Sequence, residues 1–371
     1  MKVAVNEPDL RGNEKKYLCE CIDTGWISSE GPFVERFERE MARLCERKHG
    51  IAVSNGSVAL DAALEALGLP EGSEVIMPAF TIISCASAIL RAGCIPVPVD
   101  CDRTWNMDVK RVESKITRNT SAIMAVHIYG LPVDMAYICQ LARKHDLKVI
   151  EDAAEAIGQN CHGHPCGSWG DVSCFSFYPN KHVTTGEGGM ILCDGDGLAE
   201  RCRALRNLCF IPEQRFLHYE LGYNFRMSNL QAALGVAQLE KLDSTVRKKR
   251  YIGAKYQKLL GGLAGLELPV HKTDYADNIY WVFGIVLGDE IPIDAREFSK
   301  RLAALGVGTR PFFWPMHEQP VLIDRGLFGG ERYPESERIA RRGFYIPSGV
   351  ALTDEQMEYA AGQVASVLED T

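Results

Sequence analysis

Lys181 lies in the run Phe175-Ser-Phe-Tyr-Pro-Asn-Lys181-His-Val-Thr-Thr-Gly186-Glu-Gly-Gly189, downstream of a strand-like Val149-Ile-Glu-Asp152-Ala-Ala. An amine and a carboxylate carried by neighbouring strands suit pyridoxal 5'-phosphate: the amine forms a Schiff base with the aldehyde, and the carboxylate keeps the pyridine nitrogen protonated so that the ring accepts electrons. Either residue alone has an ordinary alternative, Asp152 as a helix cap and Lys181 as a surface amine.

The elements that must bring the two together are legible as alternation. Short β-rich runs occur at Ile51–Ser54, Glu74–Pro78, Pro96–Asp100, Ala122–Val126, Lys148–Asp152, Asp171–Ser176 and Met190–Cys193. Helical patterns separate most of them, such as Met135, Ile138, Leu141 and Ala142 on one face at the 3.6 period. This predicts an α/β fold with a mostly parallel mixed sheet covered by helices. Ligands of such sheets bind beyond the carboxyl ends of the strands, where Asn55-Gly56-Ser57, Thr81, His127, Asp152 and Ser176 fall. The nearly all-apolar helix Val58–Leu67 presents its N-terminus at Gly56-Ser57, where unpaired amides suit a phosphate.

After Met227-Ser-Asn229 one long helix is expected to about Leu260, followed by strands at Tyr280–Val286 and Gly306–Thr309 and helices at Asp294–Ala304 and Thr353–Leu368. The 371 residues therefore divide into a large unit with an N-terminal arm, 1–245, and a smaller α+β unit, 246–371.

The chain is 46% hydrophobic and 24% charged with a net charge of −8, ordinary for a globular enzyme and contrary to the basic footprint of a nucleic-acid binder. The first residues lack an apolar signal core, and the longest uncharged stretch, Val75–Leu90, contains Pro78 and is too short to span a membrane. Thirteen scattered cysteines read as reduced thiols. A soluble, cytoplasmic protein is expected, with no membrane partner.

Other patterns lead nowhere catalytic. Cys161-His162-Gly-His164-Pro-Cys166 packs four soft ligands into a turn too tight to aim them at one ion, and Gly-His-Pro suits a hairpin, so no metal is expected. Gly195-Asp-Gly197-Leu-Ala-Glu200 puts a carboxylate where a dinucleotide fingerprint needs its third glycine. Phe312-Phe-Trp-Pro-Met-His317-Glu-Gln-Pro320 should be a loop whose aromatics serve the core, with His317 available to contact a sugar or phosphate.

Taken together, Asn55-Gly-Ser57, Pro78-Ala-Phe-Thr81, His127-Ile-Tyr-Gly130, Glu151-Asp-Ala-Ala-Glu155, Ser176–Lys181, Thr185–Gly189 and Gly222-Tyr-Asn-Phe-Arg-Met-Ser-Asn229 resemble the nucleotide-sugar aminotransferases of the DegT/StrS type. Within that family, Gly25-Trp-Ile-Ser-Ser-Glu-Gly31 and Arg310–His317 look most like the GDP-perosamine synthases. The resemblance implies an aspartate-aminotransferase-type fold and a homodimer with two shared active sites. It implies Lys181 as the Schiff-base lysine, Asp152 as the pyridine-nitrogen partner, and Gly56, Ser57 and Ser176 as the phosphate cradle. Asn224 would reach the phosphate from the second subunit, and Glu155 would lie near the cofactor's hydroxyl. Ile82 stands where the family often stacks an aromatic ring on the pyridine. Trp26, His127, Arg310 and His317 are candidate substrate contacts.

The activity implied is ping-pong transamination from an amino acid, with glutamate favoured, to a nucleotide-linked 4-keto-6-deoxy sugar; GDP-4-keto-6-deoxymannose leads UDP- and dTDP-linked alternatives. Related 3-dehydratases replace the lysine with histidine, but here His182 is only its neighbour, and in an extended segment it would face the other way. A non-catalytic regulator that retained the cofactor site is the alternative of another class.

Overall fold

A computed structural model describes residues 1–211 and 214–371. Its centre is a seven-stranded sheet of β1 (His49–Val53), β2 (Glu74–Pro78), β3 (Ile95–Val99), β4 (Thr120–Val126), β5 (Lys148–Asp152), β8 (Val172–Ser176) and β9 (Gly189–Cys193). Between β5 and β8 the short strands β6 (Asn160–Cys161) and β7 (His164–Pro165) form the hairpin read from Gly-His-Pro. The large sheet runs in the order β1-β9-β8-β5-β4-β2-β3, and β9 alone runs against the direction of the other six strands. Helices bury both faces, which is why the central strands are continuous apolar runs rather than alternating ones.

A second sheet, β10 (Leu266–Glu267), β11 (Phe283–Leu287), β12 (Arg310–Pro311) and β13 (Gly343–Ile346), is antiparallel in the order β10-β11-β13-β12. Helices Leu242–Leu260, Ala295–Ala304 and Asp354–Glu369 share its apolar core.

Helix Gly56–Leu67 starts where Asn55 Oδ1 accepts from the Val58 amide at 3.0 Å and ends at the left-handed Gly68. Ser228 and Gln231 form a reciprocal capping box on helix Asn229–Leu239.

Three expectations change. The long helix is broken: Asn229–Leu239 and Leu242–Leu260 are separate, and the break places Lys241 Nζ 2.9 Å from Glu14 and 2.8 Å from the Asp9 carbonyl. Gly306–Thr309 is not a strand. Gly306 turns at φ +82°, Val307 makes a lone bridge to Val3, and the strand begins at Arg310. Tyr280 has φ +52°, so the chain bends before β11 and delivers Trp281 elsewhere than the sheet.

Asn229 secures a distant element. Helix Pro32–Leu44 begins at Gly31 with no side-chain cap of its own. The fully buried Asn229 supplies one: its Oδ1 accepts from the Phe33 amide at 2.9 Å and the Val34 amide at 3.3 Å, while Nδ2 donates to the Trp26 carbonyl at 2.7 Å. Asn229→Ala leaves these groups unpaired and should cost about 2–3 kcal/mol, read as a lower denaturation midpoint at fixed protein concentration. An unchanged midpoint would contradict the cap.

Candidate active site

The carboxyl ends of β5 and β8 and the start of helix Gly56–Leu67 open into a cavity of about 770 Å³. Asp152 ends β5 and is 3% exposed. Its Oδ1 accepts from the Ala154 amide at 3.1 Å, and its Oδ2 has the Cys85 thiol at 3.4 Å. Burial pushes its pKa above the ordinary carboxylate value, although the Ala154 amide and Lys181 oppose the shift. A buried carboxylate that faces a cavity, with only a thiol and an amide as close partners, is chemically matched to a protonated ring nitrogen.

Lys181 lies in a turn, not in an extended strand, with its amide donating to the Tyr178 carbonyl at 2.9 Å. His182 nevertheless faces away into packed interior, with neither ring nitrogen hydrogen-bonded. Lys181 Nζ reaches Glu155 Oε1 at 3.6 Å and lies 3.6 Å from the Trp281 ring centroid. Burial lowers the lysine pKa against the pull of Glu155 and Asp152. Burial likewise raises Glu155 to about 7, while Lys181 and the Tyr129 amide, which donates to Oε2 at 2.8 Å, hold it down.

At the other end of the cavity Gly56 has a steric reason to be glycine: a Cβ there would lie 2.6 Å from the Ser176 Cβ. Ser57 Oγ lies 2.7 Å from Ser84 Oγ, and Ser84 stands at the start of a second helix, Ile83–Arg91. Two helix N-termini with the hydroxyls of Ser57, Ser84 and Ser176 make an anion cradle. The cradle, Asp152 and Lys181 thus fit the three polar ends of pyridoxal phosphate. Ile82 and Ala154 supply apolar wall between them.

The sequence reading missed Ser84 and Trp281. Ser84 sits inside an uncharged stretch with no glycine to announce a turn, and Trp281 was hidden in an apparently continuous apolar strand.

The structure places two candidate substrate contacts outside this cavity's lining. His127 is fully buried outside the cavity lining: Nε2 pairs with Glu151 Oε1 at 2.9 Å and Nδ1 accepts from the Val133 amide at 3.3 Å, so both nitrogens are occupied. His317 lines a different cleft and pairs with Glu337 at 3.1 Å. Trp26 and Asn224 are exposed away from this chain's cavity. Arg310 is exposed on β12, in register with the cavity residue Tyr345.

Among the described residues two groups have metal-ligand proximity, His127–Glu151–Cys166 and His317–Glu318–Glu337. In the first, Glu151 already accepts from the Gly167 and Trp169 amides at 2.6 and 3.0 Å. In the second, Arg332 and Arg341 engage the two carboxylates at 2.6 Å each.

The family model described as DegT/DnrJ/EryC1/StrS aminotransferase matches residues 8–365. The chain is 40% identical over 358 residues to a GDP-perosamine synthase of Vibrio cholerae, covering 96% of each. It is 39% identical over 370 residues to one of Escherichia coli O157:H7, covering 99% of each. The structure superimposes on Helicobacter pylori PseC, an aminotransferase involved in pseudoaminic acid biosynthesis, with a TM-score of 0.95, 21% identity and full coverage of both chains, a likeness of fold. The chain is therefore a pyridoxal-phosphate-dependent nucleotide-sugar transaminase and belongs to the DegT/DnrJ/EryC1/StrS aminotransferase family.

Proposed function

We propose that the protein transfers the amino group of L-glutamate to GDP-4-keto-6-deoxymannose, giving GDP-perosamine. The observation that carries the chemistry is the single cavity in which Lys181, Asp152, Glu155 and the Gly56/Ser57/Ser84/Ser176 cradle meet. The identities of 40% and 39% to GDP-perosamine synthases support the substrate.

Pyridoxal phosphate, held by the cradle and Asp152, would supply the electron sink. The residues supply the rest. The cradle fixes position through amides and hydroxyls that need no counter-ion. Asp152, dry and acceptor-only when ionised, keeps a ring nitrogen protonated. Lys181, once its amine is free, moves a proton off the donor's α-carbon and later onto the acceptor sugar. Glu155 holds that amine in reach and takes up or yields charge as it moves. Trp281 closes the side of the lysine opposite solvent and excludes water.

A homodimer with shared sites is part of this reading. Phe216, Tyr219 and Leu221 are 84%, 76% and 91% exposed in this chain, next to the exposed Asn224. Large apolar side chains so placed call for a partner surface, and a second copy would set Asn224 beside the cradle. We read the protein as cytoplasmic: all thirteen cysteines are free and twelve are buried, which suits a reducing compartment.

With GDP-4-keto-6-deoxymannose and glutamate, mass spectrometry should find a GDP-linked amino sugar and 2-oxoglutarate. Faster turnover of UDP- or dTDP-linked keto sugars would redirect the substrate assignment. Lys181→Ala should lose at least about 10²–10⁴-fold in turnover, and full activity in it would end the mechanism.

Burial that pushes Glu155 up to about 7 brings its ionisation into the working pH range. The anion attracts the Lys181 ammonium far more strongly than the neutral acid does, so kcat/KM should rise with pH through that value, and Glu155→Gln should flatten the limb. A limb that persists in the variant belongs to another group.

Mixing tests the shared site. Lys181→Ala and Asn224→Ala chains, each impaired alone, should regain activity when co-expressed, because the mixed dimer contains one site with neither change. No recovery, with dimers demonstrated, would place Asn224 outside the site.

A further inference from the structure

Trp281 holds Lys181 from one side, and something must hold Trp281. Its indole N–H donates to the Asn180 carbonyl at 2.8 Å, tying the ring to the same turn that carries Lys181. Its own carbonyl accepts from Lys249 Nζ at 2.7 Å, and the same ammonium donates to the Ser348 carbonyl at 2.6 Å. Lys249 projects from helix Leu242–Leu260, is 3% exposed, and no salt bridge to a carboxylate accompanies it among the described residues. Burial lowers its pKa to about 7. A buried cation balanced only by carbonyls is a costly way to fill space that an unbranched apolar side chain would fill without desolvating a charge. What the ammonium does that a methionine would not is bridge two carbonyls, one at the bend before β11 and one just beyond β13.

We propose that Lys249 is a positioning residue for Lys181: its ammonium, clamped between the Trp281 and Ser348 carbonyls, fixes the indole face on which the Lys181 amine rests. The chain of contact is continuous, from Lys249 to the Trp281 backbone, to its ring, to Lys181 at 3.6 Å from the centroid. An aromatic face favours the ammonium over the free amine. The clamp therefore opposes the desolvation that lowers the Lys181 pKa. The proposal rests on Lys181 being the reacting amine of the function proposed above.

A direct electrostatic role for Lys249 predicts the opposite sign. Removing a nearby positive charge raises the pKa of Lys181, whereas displacing the indole lowers it. Titratable groups around the lysine include Glu155 and Asp152 from β5 and the turn after it, Tyr178 and His182 from its own turn, Tyr345 from β13, and Glu7 and Asp9 of the N-terminal segment, which line the small cavity shared with Lys249. Neutral His182, driven well below its usual pKa first by burial and then by the charges of Lys249 and Lys181, adds none of its own.

The test uses the full chain without cofactor. The rate of Lys181 acetylation by a limiting acetylating reagent is followed against pH by peptide mass spectrometry, which yields the amine's apparent pKa. Lys249→Met should lower it by about half to one unit, Lys249→Arg should restore it, and Lys249→Met should add nothing further in a Trp281→Ala background. An unchanged or raised value in a folded Lys249→Met chain, or an equal further shift without Trp281, would overturn the proposal. If Lys249→Met does not fold, Lys249→Gln is read by the same criteria. Because neither cofactor nor sugar enters the assay, a protein inactive on the proposed substrates would sink that function and leave this result standing.

Discussion

Everything in this molecule bends to the requirement that two carboxylates and an amine sit buried together at one cavity without cancelling one another. Asp152 and Glu155 are both pushed towards neutrality by burial, and Lys181 is pushed the same way. Were they fully paired, the amine would be locked as a counter-ion and useless as a proton carrier. Were they unpaired, the desolvation cost would pull the site apart. The spacing resolves this: Lys181 and Glu155 stand 3.6 Å apart, at the long end for an ion pair, and the remaining stabilisation comes from backbone amides at Ala154 and Tyr129 and from an aromatic face.

Parallel strands are the natural mount for such a cluster. β5 and β8 are in register with Asp152 opposite Cys174, so the carboxylate and the turn after β8 emerge from the same edge of the sheet. The hydrogen-bonded ladder fixes the point from which each segment leaves the sheet, which a pair of flexible loops would not do. The cradle lies at the same edge because helix Gly56–Leu67 begins there, and Gly56 lets it approach Ser176 closely.

Much of this was legible beforehand, and for identifiable reasons. The strand runs carry strong β-branched signals, and β2 and β5 are found at the bounds read from sequence. Asn55, Ser228 and Thr353 announce helix starts by side-chain chemistry, and Gly68 announces an end by the left-handed backbone it tolerates. What escaped depends on tertiary context. Nothing in the run around Lys241 marks a break, and the partners that Lys241 meets there lie more than two hundred positions earlier. His127 looked like a ligand contact because it follows a strand, yet its ring turns into the protein towards Glu151. Trp281 was concealed by a positive φ at Tyr280 that no residue type advertises.

The one antiparallel strand, β9, has a mechanical consequence. Because β9 returns beside β8, the lysine is carried by a loop that closes on itself, with the Phe177 amide bonded to the Gly188 carbonyl and the Thr185 amide to that of Phe177. A crossover helix in that place would have coupled every displacement of the lysine to the packing of a sheet face. The closed loop is instead tied to the second sheet's unit at one point, the Trp281 indole on the Asn180 carbonyl, so the lysine's position is set by one side-chain contact and not by a whole packed face.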